Sequence, residues 1–218
     1  MRITLPSGTP AELAQPQGEP TMGLVVVPDI FGLRPLFDDL AARLATDQGW
    51  AVCAVEPFPG QEDLDIDGRF AVIPELDDGR VMADLIAGAD ATGCARVGVL
   101  GFCMGGMYTL KAAGTGRFDA AAAFYGMIRL PVAWRGDGQG EPLESVAKAP
   151  CPVLAVVGGK DPYTPPEDVA ALRAANERVT VAEYPEAEHG FVHDPARPAH
   201  RPGDAADAWR RAIAVLTG

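Results

Sequence analysis

The chain has 218 residues, of which 48% are hydrophobic, and its formal net charge is −12. This length and composition fit one globular domain over residues 1–218, and the acidic excess argues against nucleic acid or an anionic membrane as a partner, because both are bound by basic surfaces. The sequence shows no long apolar span and no secretory leader, and its four cysteines show no paired spacing, so we expect a cytoplasmic protein with free thiols.

Strand-like and helix-like stretches alternate along the chain. Six short apolar runs are typical of buried strands: 23–28, 50–55, 96–102, 119–125, 152–157 and 179–184. Five stretches are predicted to be helices: 35–49, 75–91, 104–113, 166–176 and 204–216. We expect residues 1–13 to form a marginal edge hairpin, and residues 61–74 and 129–142 to be irregular. The alternation predicts an α/β protein with a mostly parallel sheet and helices on both of its faces.

The most informative motif is GFCMGG at residues 101–106, between a predicted strand and a predicted helix. It matches the nucleophile elbow, Gly-x-nucleophile-x-Gly, with cysteine where serine is commoner. Glycines allow the close backbone approach of a tight strand-to-helix turn, and the helix N-terminus favours a thiolate. We therefore predict Cys103 as a nucleophile and the Met104 amide as an oxyanion-hole donor. The alternative is a small buried cysteine in a glycine-rich turn.

A cysteine nucleophile needs a base, and the base needs a residue that orients it. Asp161 and His189 each follow a predicted strand, in the chain order nucleophile, acid, histidine that this architecture uses. We predict that His189 is the general base and later the acid, and that Asp161 holds its tautomer. The second oxyanion donor is expected from the loop after the strand 23–28, and we assign it to the Ile30 amide.

Four motifs together resemble the dienelactone hydrolase (carboxymethylenebutenolidase) family: PDIFG at 28–32, GFCMGG at 101–106, GGKD at 158–161 and AEHGF at 187–191. The resemblance extends from about residue 24 to residue 216. It implies the α/β-hydrolase fold, a triad of Cys103, Asp161 and His189, no metal and no cofactor. It also implies a small-molecule lactone or ester as substrate, opened to a maleylacetate-type acid, and a monomer or small homo-oligomer.

The sequence departs from the family pattern around the expected substrate. Well-studied members have a glutamate at the position of Asp29, where it contacts the resting cysteine and helps to ionise it. They also hold the substrate carboxylate with two arginines. Arg69 is a plausible counterpart of the first, but the position of the second is occupied here by His193, with Arg197 the nearest guanidinium. The substrate is therefore either an anionic dienelactone or a different small lactone or ester.

Two aromatic residues, Phe31 and Tyr125, stand in or next to loops near the expected site, and we expect them to contact the substrate. Trp134 is a further candidate for the pocket wall.

Three other interpretations compete with a cysteine hydrolase. The acidic stretch 63–67 resembles the start of a calcium loop, but Pro74 stands where the loop needs a glutamate. His189 and His193 are four residues apart, as zinc ligands on a helix are, yet the glycine and proline around them disfavour a helix. A hydrolase fold retained only for binding is the third, although all three triad positions hold competent residues.

Overall fold

Eight strands form one sheet in the computed structural model, which describes residues 1–218. The strands are Arg2–Thr4 (β1), Pro10–Ala14 (β2), Gly23–Val27 (β3), Ala51–Val55 (β4), Val97–Phe102 (β5), Ala120–Phe124 (β6), Val153–Gly158 (β7) and Val179–Tyr184 (β8). Their order in the sheet is β1-β2-β4-β3-β5-β6-β7-β8. The six strands from β3 to β8 are parallel, so their carboxyl ends lie along one edge.

Seven α-helices accompany the sheet. They span Pro35–Gln48 (α1), Ile66–Val72 (α2), Asp78–Ala91 (α3), Met104–Ala113 (α4), Pro142–Val146 (α5), Pro166–Ala175 (α6) and Pro202–Thr217 (α7). One face of the sheet packs against α1 and α7, and the other packs against α3, α4, α5 and α6. This confirms the prediction of a mostly parallel sheet covered on both faces.

Alternate residues of the central strands supply the two cores. Val97 and Val99 of β5 belong to the core beneath α3 and α4, whereas Leu100 and Phe102 belong to the core beneath α1 and α7. Every residue of β5 is buried, as expected for a strand with helices on both sides. The strand that precedes Cys103 is therefore fixed on both faces.

One stretch predicted to be irregular, residues 61–74, contains an α-helix, and that prediction was wrong, whereas the other holds only a short 3-10 turn. Residues 61–74 include α2, which begins where the Asp65 side chain accepts a hydrogen bond from the Gly68 amide at 2.8 Å. A 3-10 turn at Ile73–Glu75 follows α2, so α3 starts at Asp78 and not at residue 75. Residues 129–142 include a 3-10 turn at Val132–Trp134, and α5 begins at their end. Helices this short are decided by capping and tertiary contacts more than by periodicity.

The N-terminal hairpin extends the sheet. β1 pairs antiparallel with β2, and β2 pairs antiparallel with β4. Thr9 next to β2 donates a hydrogen bond at 2.7 Å to Asp84 of α3, which also receives one from Ser7. The predicted edge hairpin is thus anchored by a buried carboxylate.

None of the helices combines the length and the apolar composition that a membrane-spanning segment requires.

Candidate active site

Cys103 lies in the turn between β5 and α4, at the carboxyl edge of the sheet. Its backbone has φ 57° and ψ −120°, a conformation that non-glycine residues rarely adopt. The Cys103 amide donates to the carbonyl of Phe124 at 3.0 Å, which ties the turn to the neighbouring strand β6. The residue is partly exposed, so its sulfur is accessible from the cavity described below.

Two motif glycines permit this turn. A Cβ atom on Gly105 would lie 2.1 Å from the carbonyl oxygen of Val27, and one on Gly101 would lie 2.3 Å from the carbonyl oxygen of Gly105. Both separations are far inside van der Waals contact. Glycine at these positions therefore lets α4 pack directly against β3 and β5, with its N-terminus behind Cys103.

Asp161 and His189 meet at the same edge. Asp161 follows β7 and His189 follows β8, two strands that are neighbours in the sheet. His189 Nδ1 is 2.8 Å from Asp161 Oδ2, and Asp161 Oδ1 accepts a hydrogen bond from the Tyr163 amide at 2.9 Å. The carboxylate is buried and both of its oxygens have partners, so it fixes the ring of His189.

The environment of His189 favours the protonated form of its imidazole ring. Burial alone would lower the pKa of His189, but the hydrogen bond with Asp161 and the interaction with Cys103 outweigh burial and raise the pKa to about 9. The second ring nitrogen, Nε2, is buried and has no hydrogen-bond partner in the resting structure. Cys103 and His189 line the same cavity, so this nitrogen is available for the reaction.

Two backbone amides are free to bind an oxyanion. The Ile30 amide, in the loop after β3, donates to no group in the structure, whereas its neighbours Phe31 and Gly32 both donate to Asp29. Met104 is the first residue of α4, so its amide has no acceptor within the helix. Ile30 lines the cavity and Met104 directly follows Cys103.

A cavity of about 280 Å³ opens over Cys103 and His189. Its wall is mostly apolar and is formed by Ile30, Phe31, Ile66, Phe70, Met127 and Trp134. Asp29, Tyr163 and Arg197 complete the lining. This size suits a small molecule, and the polar groups are few and localised, as in small-molecule sites generally.

Arg197 brings an unpaired positive charge to the cavity. Its guanidinium makes no ion pair and no side-chain hydrogen bond. It lies over Gly190, where an added Cβ would be 2.8 Å from Nη1 of the arginine. Gly190 directly follows His189, so an anion bound by Arg197 would lie close to the imidazole.

Asp29 also lines the cavity, but its charge is already neutralised. Arg34 binds it through both guanidinium nitrogens, at 2.6 and 3.0 Å, and His193 Nε2 is 2.8 Å from Asp29 Oδ2. Burial alone would raise the pKa of Asp29, but the hydrogen bonds from His193 and Arg34 outweigh it and lower the pKa to about 2. Asp29 is therefore ionised and held by its partners, and Cys103 is not among them.

Comparison with known proteins shows to which family the chain belongs. Residues 9–218 match the sequence profile of the dienelactone hydrolase family. The chain belongs to this family. Membership makes it a hydrolase that acts on esters or lactones, with the α/β-hydrolase fold.

Three relatives illustrate the similarity within the dienelactone hydrolase family. A Methylorubrum extorquens protein named "Putative carboxymethylenebutenolidase" is 33% identical, over 97% of this chain and 77% of that protein. A Bradyrhizobium protein named "Probable 2-oxo-3-(5-oxofuran-2-ylidene)propanoate lactonase" is 30% identical, over 88% of this chain and 82% of that protein. The crystal structure of a "Putative Dienelactone Hydrolase" from Klebsiella pneumoniae has a TM-score of 0.88 and 28% identity, covering 100% of this chain and 97% of that chain.

Three residues expected to contact the substrate do not line the cavity of this dienelactone hydrolase family member. Tyr125 is fully buried, and its hydroxyl is hydrogen-bonded to His193 Nδ1. His193 is also buried, beneath Asp29. Arg69 is buried as well, where it donates to the carbonyls of residues 62 and 64 and packs over the Phe58 ring at 5.0 Å. Tyr125 and His193 are bonded to each other, and Arg69 is bonded to loop carbonyls, so none of the three side chains reaches the cavity.

Sequence reasoning missed several residues of the wall. Tyr163 packs edge-on against His189, with ring centroids 4.9 Å apart, and it comes two residues after Asp161 in the same loop. Ile66 and Phe70 reach the cavity from α2, in the stretch predicted to be irregular. Their spacing of four residues is the signal that could have revealed one face of a helix there.

The features that suggested metal sites have other partners in the structure. Asp65 of the acidic stretch caps α2. His189 is bonded to Asp161, whereas His193 lies between Asp29 and Tyr125, so the two rings serve different networks.

Proposed function

We propose that this protein hydrolyses a small carboxylate-bearing lactone or ester through a thioester on Cys103. The observation that carries the proposal is the meeting of Cys103, the His189–Asp161 pair and the unpaired Arg197 at one cavity. The first two supply covalent chemistry, and the arginine supplies an anion site beside it.

In the acylation step, the Cys103 thiolate attacks the carbonyl carbon and a C–S bond forms. The carbonyl oxygen becomes an oxyanion, which the amides of Ile30 and Met104 stabilise. When the intermediate collapses, the ester C–O bond breaks, and the leaving oxygen takes the proton from the His189 imidazolium. In a lactone this opens the ring, and the released hydroxyl or enol stays attached to the acyl group. The raised pKa of His189 favours a protonated ring that acts first as the acid, whereas the sequence analysis predicted that His189 acts first as the base and later as the acid.

In the deacylation step, the now neutral imidazole of His189 takes a proton from water. The resulting hydroxide attacks the thioester, the C–S bond breaks, and the sulfur leaves as the thiolate. The product is a carboxylic acid, which ionises at neutral pH. Asp161 keeps the ring oriented and stabilises its positive charge in both steps.

The proposal is tested by looking for a covalent acyl group on Cys103. Incubation with p-nitrophenyl acetate should add one acetyl group to the protein, and peptide mapping should place it on Cys103. Hydrolysis should survive a chelator and be lost after thiol alkylation. A protein that uses this fold only for binding would neither be acylated nor release nitrophenolate, and a protein that still hydrolyses the ester after Cys103 has been alkylated would contradict the proposal.

A pH profile is expected to follow His189. The rate constant kcat/KM should fall as the pH rises through about 9, because the imidazolium that protonates the leaving oxygen is lost there. An Asp161→Asn variant should move this alkaline limb to lower pH, since the hydrogen bond that His189 donates to Asp161 is one cause of the raised pKa. An alkaline limb at the same pH in both proteins would contradict the assignment.

Arg197→Gln is expected to weaken the binding of carboxylate-bearing substrates. Losing a hydrogen bond to a charged group costs about 1.5–3 kcal/mol, so KM for an anionic dienelactone should rise about ten- to hundredfold. KM for neutral p-nitrophenyl acetate should change by less than about twofold, as should all constants of an Arg173→Gln control, whose side chain pairs with Glu183 away from the cavity. Equal effects on both substrates would instead favour a general carboxylesterase of neutral esters, which the apolar wall also suits.

A further inference from the structure

Behind the cavity, four side chains form one hydrogen-bonded array. Arg34 holds both carboxylate oxygens of Asp29, and His193 Nε2 is 2.8 Å from Asp29 Oδ2. The other nitrogen of the same ring, Nδ1, is bonded to the hydroxyl of Tyr125. The side chains of Asp29 and His193 are only 2% and 1% exposed, and Tyr125 is fully buried. Water therefore cannot replace these bonds.

The direction of the bonds follows from this burial. The Tyr125 hydroxyl has no partner other than His193 Nδ1, so it donates its proton there. The hydrogen of the imidazole then lies on Nε2, where it donates to the Asp29 carboxylate. A neutral ring fits this pattern, and burial lowers the pKa of His193. Tyr125 and His193 thus each donate one proton along the array, and the ionised Asp29 carboxylate accepts at its end.

The array joins three separate segments of the site. Asp29 belongs to the loop after β3, where the next residue carries the free Ile30 amide. Tyr125 follows β6 with a left-handed φ of 38°, and its amide donates to the carbonyl of Val156 in β7 at 2.7 Å. The Tyr125 ring packs edge-on against His189, with centroids 5.2 Å apart.

We propose that His193 is a positioning residue for the hydrolysis. Through Asp29 it fixes the loop that presents the Ile30 amide to the oxyanion. Through Tyr125 it fixes the ring against which the His189 imidazole packs. The oxyanion donor and the acid–base group come from different loops, and His193 joins both to one rigid array. This inference rests on the proposed function.

The packing around His193 allows its hydrogen bonds to be removed without removing its bulk. The ring is stacked with Phe102 at 4.7 Å and with Phe37 at 5.9 Å between centroids. His193→Phe keeps an aromatic ring in this apolar surrounding and deletes both hydrogen bonds. His193→Gln places an amide N–H near the position of Nε2 and restores the donor to Asp29.

We expect His193→Phe to slow chemistry and not binding. In single-turnover measurements with p-nitrophenyl acetate, the maximal rate of acylation should fall about ten- to hundredfold, as a misplacement of about 1 Å can do. The ester concentration that gives half of the maximal rate should change by less than about threefold. His193→Gln should recover most of the lost rate.

The parent protein and a double variant complete the test. A parent that releases no nitrophenolate from the ester refutes the proposed function itself, before His193 is considered. When the parent does release nitrophenolate, a His193→Phe rate within about twofold of the parent overturns the positioning role, and so does an equal loss in His193→Phe and His193→Gln. If His193→Phe does not fold, Tyr125→Phe provides the same test. That variant deletes only the hydroxyl, so it should slow acylation by itself and should cause little further loss when combined with His193→Gln.

Discussion

Cys103→Ala is expected to abolish turnover, with a loss of about 10⁴-fold or more in kcat. The alanine variant keeps the cavity, the two amides and the His189–Asp161 pair, but it cannot form the thioester. Cys103→Ser should retain only a trace of activity. A serine hydroxyl is much less acidic than a thiol, so its attack depends more strongly on removal of its proton by a base.

Steady-state hydrolysis of p-nitrophenyl acetate measures this loss, and intact-protein mass spectrometry shows whether an acyl group is attached. Cys151→Ala is a matched control, because Cys151 is buried next to β7 and does not line the cavity. It should keep kcat within about twofold of the parent. Turnover by Cys103→Ala at the parent rate would refute the mechanism.

His189→Ala is expected to separate the two steps of the reaction. The nitrophenolate of p-nitrophenyl acetate leaves without protonation, so Cys103 should still be acylated by this ester. Hydrolysis of the thioester needs the imidazole to activate water, and general acid–base groups contribute about 10²–10⁴-fold. We therefore expect a burst of one nitrophenolate per chain, then a steady-state rate lower by about that factor, with an acetyl group trapped on Cys103.

Rapid-mixing absorbance measurements resolve the burst, and mass spectrometry identifies the trapped species. His200→Ala is the control, since His200 lies outside the cavity over Cys103. A His189→Ala variant with the parent's steady-state rate would show that another group activates water.

Local sequence patterns were enough to predict the candidate site residues that follow a strand. The elbow is recognisable because a buried strand, two closely approached glycines and a helix are consecutive in sequence. Asp161 and His189 could be predicted because loops after parallel strands reach one edge of the sheet. The structure places both at that edge, 2.8 Å apart.

The substrate side of the site could not be read in this way. In the sequence, Arg69 was the plausible counterpart of one carboxylate-binding arginine and Arg197 only the guanidinium nearest to the position of the other. In the structure, Arg69 is bound by loop carbonyls and Arg197 lines the cavity. His193 stands four residues after His189, but its ring is turned inward to Asp29. Which way a side chain points depends on partners distant in the chain, and a single sequence does not specify them.

By itself, the sequence determined the α/β architecture, the family and the order of the candidate reactive residues, because these depend on hydrophobic patterning and on contiguous motifs. Only the tertiary structure decided which charged side chains are left without an ion-pair partner. Asp29 and Arg34 neutralise each other, and hydrogen bonds join Asp29 to the neutral His193 and His193 to Tyr125, from two distant segments, while Arg197 is left without a partner at the cavity. The physical reason is that a buried charge must find a partner, and only the folded chain brings those partners together.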